Sequence, residues 1–243
     1  TKLTAEDLEW VVNNSRLSPR PERAIPEYPQ VGLVNGLAVY GTQLGALLEI
    51  EATVTPVEAG QGRLSITGII DEEEVGGLGR TVRRKSTAKG SVENVITVLS
   101  RLLQENLNNY DIHLNFPGGI PIDGPSAGVA IATAVYSALK GIPVDNTVAM
   151  TGELSIRGFV CPVGGVTAKI EAARDAGAKK IFIPQKNWQH IYTKEEEITI
   201  VPVSHIDEVF KGALLFSDSP RDLSPQTGKE SYATSFRAKR GKL

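Results

Sequence analysis

The chain has 243 residues, of which 41% are hydrophobic and 22% charged, as in ordinary globular proteins. Its 26 basic and 28 acidic residues leave a net charge of −2, which gives no overall attraction to nucleic acid or anionic membranes. The single cysteine, Cys161, excludes an intrachain disulfide framework, and with only three histidines we expect no metal site of the zinc type. No apolar run reaches the roughly 20 residues that a bilayer span needs, so we expect a cytoplasmic protein without a membrane segment.

The first 28 residues have the pattern of a helix followed by a linker. Thr4 precedes Glu6 and Asp7, and this composition is typical of a helix N-terminus. A stretch rich in proline and arginine then runs from residue 18 to residue 29 and indicates a linker. We expect the main domain to begin near residue 29, with residues 1–28 being the end of a preceding unit.

The next part of the chain has a β pattern. Residues 31–40 and 44–54 predict two strands, and the apolar residues between 64 and 70 predict a continuation of the sheet. Residues 71–84 are charged and rich in glycine, which predicts an exposed loop.

Helices and strands alternate in the second half. The patterns predict helices at 91–106, from 127, at 166–176 and at 205–214, and strands at 112–116, 148–154, 181–183 and 198–203. This order predicts an α+β (mixed α/β) domain. The polar tail, 217–243, has six basic residues against three acidic ones and is expected to be disordered.

The strongest chemical signal is the glycine- and proline-rich segment 118–128, which leads into a helix of small residues. Glycines allow close backbone approach, Pro125 restricts the backbone, and a helix N-terminus offers free N–H groups to a developing oxyanion. Ser126 at this helix start is a candidate nucleophile. The alternative is that Ser126 only caps the helix.

A nucleophilic serine needs a base, and two kinds of residue are available. His113, His190 and His205 are candidates, but none has a spacing that identifies an acidic partner. Lys169 follows the glycine pair 164–165 near a helix start, where burial and the helix dipole would lower its pKa. A solvated lysine is the alternative.

A family resemblance adds to these observations. The segment Asp123-Gly124-Pro125-Ser126-Ala127-Gly128 resembles the nucleophile motif of the Lon proteases, and the similarity continues in family order through 148–158, 163–169 and 176–180. A weaker match runs from residue 29 to residue 216. The chain is identified as a member of this family, most similar to the bacterial B-type.

The resemblance implies a fold and a set of site residues. The fold would be that of the Lon proteolytic domain, which is similar to ribosomal protein S5 domain 2, with mixed sheets and flanking helices. Ser126 would be the nucleophile and Lys169 the general base of a Ser-Lys dyad. Thr151 would help to hold the lysine, Asp123 would be a local organiser or a gate outside the dyad, and Gly124 would support the nucleophile turn.

A second set of residues would bind the substrate. In the family, a Gly-Leu-Ala sequence on one strand is usually followed by tryptophan. Here Leu37 and Ala38 are followed by Val39 and Tyr40, so we expect these four residues to contact the substrate, with Tyr40 in place of the tryptophan.

The resemblance also implies partners and domain limits. Residues 1–28 would be the remnant of an AAA+ helical subdomain and linker, 29–216 the proteolytic domain, and 217–243 a disordered basic tail. The resemblance implies an ATP-dependent protease, usually a homohexamer, that degrades unfolded, misfolded, regulatory or tagged proteins. The chain has no Walker motif, so we expect no cofactor in it, with ATP and magnesium in the motor domain.

Two alternatives stay open from the sequence. One is a non-catalytic Lon-like module for assembly or nucleic-acid handling, which only the basic tail supports; nucleic acid is otherwise not expected as a partner. The other is a serine hydrolase that uses His113 as its base.

Overall fold

The structure is a computed structural model that describes Thr4 and residues 24–40, 44–68, 72–77, 80–85, 87–117 and 124–216. For Tyr40 and for residues 72–77 and 80–85 the description covers the backbone alone. Several expectations fall outside the described residues: the N-terminal helix, residues 69 and 70, Asp123 and the basic tail.

The described residues form eleven strands and four α-helices in a mixed order. The strands are β1 (Leu33–Tyr40), β2 (Leu44–Pro56), β3 (Leu64–Thr67), β4 (Glu72–Gly77), β5 (Arg80–Lys85), β6 (Tyr110–Asn115), β7 (Val148–Met150), β8 (Glu153–Leu154), β9 (Val160–Cys161), β10 (Lys180–Pro184) and β11 (Thr199–Val203). The helices are α1 (Thr87–Leu103), α2 (Gly128–Lys140), α3 (Val166–Asp175) and α4 (Ile206–Ala213).

Seven strands form one mixed sheet in the order β11-β10-β7-β1-β2-β6-β3. The strands β11, β10, β7 and β1 run parallel, whereas β2 is antiparallel to both β1 and β6. Parallel neighbours require crossover connections, and α3 forms the connection from β7 to β10. The predicted α+β (mixed α/β) fold is confirmed.

Helices cover both faces of this sheet and define two hydrophobic clusters. The first cluster contains α1, α2 and α4 against one face, with Ile50, Ile131 and Leu99 fully buried. The second cluster contains α3 against the other face, where Leu37 and Ile170 pack with Ile181. Alternation along β1 and β2 sends successive side chains into different clusters, as expected for a strand with both faces covered.

The predicted loop at 71–84 is wrong, because β4 and β5 form an antiparallel hairpin there. The register places Glu72 opposite Lys85 and Glu73 opposite Arg84, and opposite charges at facing positions favour pairing of two strands. The hairpin was not predicted because its two strands lack the alternating apolar residues by which the other strands were recognised.

The strand predicted at 148–154 is broken into two elements of different sheets. β7 ends at Met150, and β8 pairs with β9 in a separate two-stranded sheet. Between them Gly152 N–H donates to the Ser126 carbonyl at 2.9 Å, so the chain leaves the large sheet to bond to the serine turn. No helix in the described part of the chain is long and apolar enough to cross a membrane.

Candidate active site

Ser126 lies in a 3₁₀ turn, Pro125–Ala127, directly before α2. The backbone of this turn is held by the segment after β7: Gly152 N–H donates to the Ser126 carbonyl, and Val129 N–H donates to the Gly152 carbonyl at 3.1 Å. Neither this turn nor α2 receives a hydrogen bond from a capping side chain. The alternative that Ser126 is a helix cap is therefore wrong.

Lys169 is buried in the first turns of α3, with 2% of its surface exposed. The helix begins after Gly165, which adopts a left-handed conformation (φ +66°). The Lys169 Nζ donates to Thr151 Oγ1 at 3.0 Å. Burial disfavours the charged form and lowers the pKa of Lys169 to about 8. The alternative of a solvated lysine is wrong.

Thr151 connects the lysine to the serine turn. It follows β7, is fully buried, and its backbone N–H donates to the Phe182 carbonyl of β10 at 3.1 Å. Its hydroxyl accepts from Lys169 and donates to the Ser126 carbonyl at 3.3 Å. The Thr151 hydroxyl therefore contacts both the lysine and the serine turn, as expected of a residue that positions the lysine.

One cavity of about 490 Å³ joins the residues that the sequence singled out. Ser126, Lys169 and Gly124 line it, and so do three residues expected to bind substrate: Leu37, Ala38 and Val39. The side chain of Tyr40 and all of Asp123 lie outside the described residues. The structure thus brings together six of the nine predicted site residues in one cavity, with Thr151 behind the lysine.

The cavity has further walls that the sequence analysis did not select. Leu48 of β2, Pro125, Ala127, Glu153 of β8 and residues 162–165 also line it. Glu153 is two residues after Thr151 in a segment that resembles the family, so the resemblance contained a signal for it. Leu48 had no such signal, because its position follows from the pairing of β2 with β1.

The three histidines all lie within the described residues, and none lines the cavity. His113 is exposed on β6, where its Nε2 lies 3.1 Å from Thr67 Oγ1. His190 is exposed, and His205 caps α4 by accepting from Asp207 N–H. A triad based on His113 is therefore excluded, because His113 does not line the cavity that contains Ser126. In the described part of the chain, no cluster of three His, Cys, Asp or Glu residues could hold a metal ion.

Fold and site together define a class of protein. A mixed α/β domain places a serine before a helix and a desolvated lysine in one cavity, and hydrolases with a lysine base need this pair. The chain belongs to the family of Lon protease (S16) C-terminal proteolytic domains, whose family model matches residues 2–216. It is therefore a peptidase domain, and the resemblance found in the sequence is confirmed.

Curated relatives agree with this family. The chain is 54% identical over 213 residues to Lon protease 2 of Bacillus subtilis, a match that covers 88% of this chain and 38% of that protein. It is 43% identical over 199 residues to the archaeal Lon protease of Pyrococcus abyssi, covering 80% and 18% of the two chains. For the archaeal Lon protease of Thermococcus kodakarensis the identity is 43% over 211 residues, covering 85% and 31%.

The matches to a bacterial Lon protease 2 and to archaeal Lon proteases fit the B-type resemblance stated from the sequence. The chain spans less than two fifths of the length of each of these relatives.

Proposed function

We propose that this chain is the Ser-Lys endopeptidase domain of an ATP-dependent Lon protease, with Ser126 as nucleophile and Lys169 as general base. One observation carries the proposal: the buried Lys169, bonded to Thr151, shares a cavity with Ser126. A buried ammonium group is costly, and a non-catalytic scaffold would gain nothing from retaining it.

The reaction begins with a proton transfer. Neutral Lys169 takes the proton of Ser126 Oγ while the oxygen attacks the peptide carbonyl. Backbone N–H groups at the start of the helix, from Ser126 and from the turn at Asp123 and Gly124, stabilise the oxyanion of the tetrahedral intermediate. The lysine ammonium then protonates the leaving amine, and water hydrolyses the acyl-enzyme.

Thr151 and β1 prepare this reaction. The Thr151 hydroxyl fixes the position of Lys169 Nζ without taking part in the transfer. Leu37, Ala38 and Val39 form one wall of the cavity, where they contact the substrate beside the nucleophile. We extend this role to Tyr40, which is the next residue of β1.

Because the chain belongs to the Lon family, we extend the proposal to the whole protein. Substrates are unfolded, misfolded or tagged proteins, and the working assembly is a cytoplasmic homohexamer. The proteolytic domain comprises residues 29–216. ATP and magnesium bind to a separate AAA+ motor outside this domain. Residues 1–28 connect the proteolytic domain to this motor.

The test is cleavage of an unfolded polypeptide and of a fluorogenic peptide. We compare the chain with Ser126→Ala and Lys169→Ala, and with the exposed controls Ser65→Ala and Lys179→Ala. Both site variants should lose activity by at least about 10³-fold, while the controls retain it. Cleavage that survives in folded Ser126→Ala would overturn the proposal. A wild-type chain that neither cleaves nor binds a peptide boronate at Ser126 would do so as well.

A further inference from the structure

Helix α3 lies directly on the backbone of β2 at Gly45. A Cβ atom added to Gly45 would lie 1.9 Å from the carbonyl oxygen of Ala168 and 3.0 Å from Ala172 Cβ. Any side chain at this position must therefore push the helix and the strand apart, because the nearest obstacle is backbone. Glycine is the residue that permits this approach.

The contact supports the part of α3 that carries the lysine. Ala168 immediately precedes Lys169, and Gly45 pairs with Val39 in the β1–β2 register. A Cβ at Gly165 would in turn lie 2.6 Å from Val39 Cγ2. The first turn of α3 thus rests on the β1–β2 hairpin at two adjacent points.

We propose that Gly45 is a positioning residue for Lys169: its missing side chain sets the depth at which α3 lies on β2, and thereby the reach of Nζ to Thr151. The reason is geometric, since Nζ bonds Thr151 Oγ1 at 3.0 Å from a helix that has no room to come closer. The catalytic consequence rests on the proposed function, in which Lys169 is the base.

In the described part of the chain, few charged groups pack against the helix that carries Lys169, so the depth of this side chain has the largest effect on its protonation. Besides the residues of α3 itself, the charged or titratable groups on the elements packed against it are Glu49 and Glu51 of β2, Lys180 of β10, and Tyr192, Glu195 and Glu197 of the following segment. β1 carries no charge from Leu33 to Val39. Glu153 lines the cavity. Burial is the cause that lowers the pKa of Lys169, and a displaced helix would admit water to the ammonium group.

The first variant is Gly45→Ala. We expect the NMR-titrated pKa of Lys169 Nζ to rise from about 8 toward the ordinary value of about 10.4. The base limb of the pH–rate profile should move with it, and kcat at pH 8 should fall by roughly 10²-fold, as for an ångström-scale misplacement of a reacting group. The control is Gly90→Ala, because Gly90 lies in α1 with open space around it, and both readouts should stay at wild-type values.

A second variant approaches the same contact from the helix. Ala172→Val crowds Gly45 with a side chain that a half-buried helix position can accommodate, and Ala172→Gly is its matched control without crowding. Ala172→Val should raise the pKa of Lys169 in the same direction as Gly45→Ala, and it decides the question if Gly45→Ala does not fold. If a variant merely reduces the fraction of folded protein, the measured activity falls but the pKa of Lys169 in the folded fraction stays unchanged.

The titration separates this proposal from the proposed function, because it needs no turnover. An unchanged pKa of Lys169 in both folded variants overturns the role of Gly45, even if Ser126 and Lys169 are essential for cleavage. A raised pKa in the variants of a chain whose wild type neither cleaves through Ser126 nor binds the peptide boronate there supports the role of Gly45 in placing the lysine and overturns the proposed function.

Discussion

Lys169 Nζ lies 3.0 Å from Thr151 Oγ1, and the two side chains are 2% and 0% exposed. The threonine hydroxyl proton points to the Ser126 carbonyl at 3.3 Å, so a lone pair of the hydroxyl is left to accept from the lysine. A neutral amine that donates to Thr151 keeps its own lone pair for another proton. The hydrogen bond therefore orients Lys169 as a base, because it uses an N–H of the amine and leaves the nitrogen lone pair free to accept the serine proton.

The rate of peptide cleavage should rise with pH along a limb set by Lys169. Because burial lowers the pKa of Lys169 to about 8, the neutral base accumulates above that pH, well below the value of about 10.4 for a free lysine. The measurement is kcat/KM for a fluorogenic peptide from pH 6 to 10. A limb centred near 10 would contradict a desolvated base.

Replacing Lys169 by methionine should stabilise the chain near neutral pH. The folded state binds the lysine proton with a pKa of about 8 and the unfolded state with about 10.4, so protonation below pH 8 costs the folded state about 3 kcal/mol. Lys169→Met removes this cost and leaves the bond from Thr151 to the Ser126 carbonyl intact. Urea unfolding at pH 7 measures the gain.

The pH dependence gives this prediction its control. Between pH 8 and about 10.4 the unfolded state holds more protons than the folded state, so the stability contributed by this group rises with pH. The difference between Lys169→Met and wild type should therefore shrink across that window. The exposed Lys179→Met should change the unfolding free energy by no more than about 0.5 kcal/mol at either pH. A Lys169→Met chain that is less stable at pH 7 would be inconsistent with the buried ammonium.

Thr151→Val should lower both the rate and the pKa of the base. Valine has the size of threonine but accepts no hydrogen bond, so the charged lysine loses its acceptor and the neutral form is favoured further. We expect the base limb to move below pH 8 and kcat to fall about tenfold. Thr151→Ser retains the hydroxyl and should recover most of the rate. Equal losses in both variants, with an unmoved pH profile, would assign Thr151 to packing alone.

Ala38→Leu should narrow the cavity next to Ser126. Ala38 lines the cavity from β1, so the larger side chain competes with the substrate for space. We expect kcat/KM to fall at least about tenfold for peptides with a large residue beside the scissile bond, and less for those with alanine there. A series of such peptides measures the ratio, with the exposed variant Ala59→Leu as control. An unchanged ratio would place the substrate elsewhere.

The sequence predicted which residues form the site better than it predicted their contacts and burial. Glycine and proline around Ser126 indicated a rigid turn, and the helix start after the glycine pair 164–165 made Lys169 a candidate base. Whether a serine caps a helix, or whether a lysine is exposed to water, depends on the elements that pack against it. Here the segment after β7 bonds to the turn of Ser126, and β2 packs against the helix that carries Lys169. Those contacts join residues far apart in the chain, which no local pattern records.

The fold shows the same division. Alternating apolar residues predicted β1 and β2, which have both faces covered, and α1 and α2 were found near their expected limits. The β4–β5 hairpin was missed because its strands carry runs of like charge, acidic at 72–74 and basic at 83–85, which face each other across the pair, instead of alternating apolar residues. The break between β7 and β8 was missed because it results from two long-range bonds of Gly152, whose N–H donates to the Ser126 carbonyl and whose carbonyl accepts from Val129 N–H.

The two hydrophobic clusters on opposite faces of the large sheet have a consequence for how the protein loses activity. Ser126 precedes a helix of the first cluster, and Lys169 belongs to the helix of the second. Each layer can loosen separately, since local opening costs less free energy than global unfolding. Cleavage needs both layers in place. Mild heating should therefore abolish peptidase activity at a temperature at which circular dichroism still shows an intact sheet.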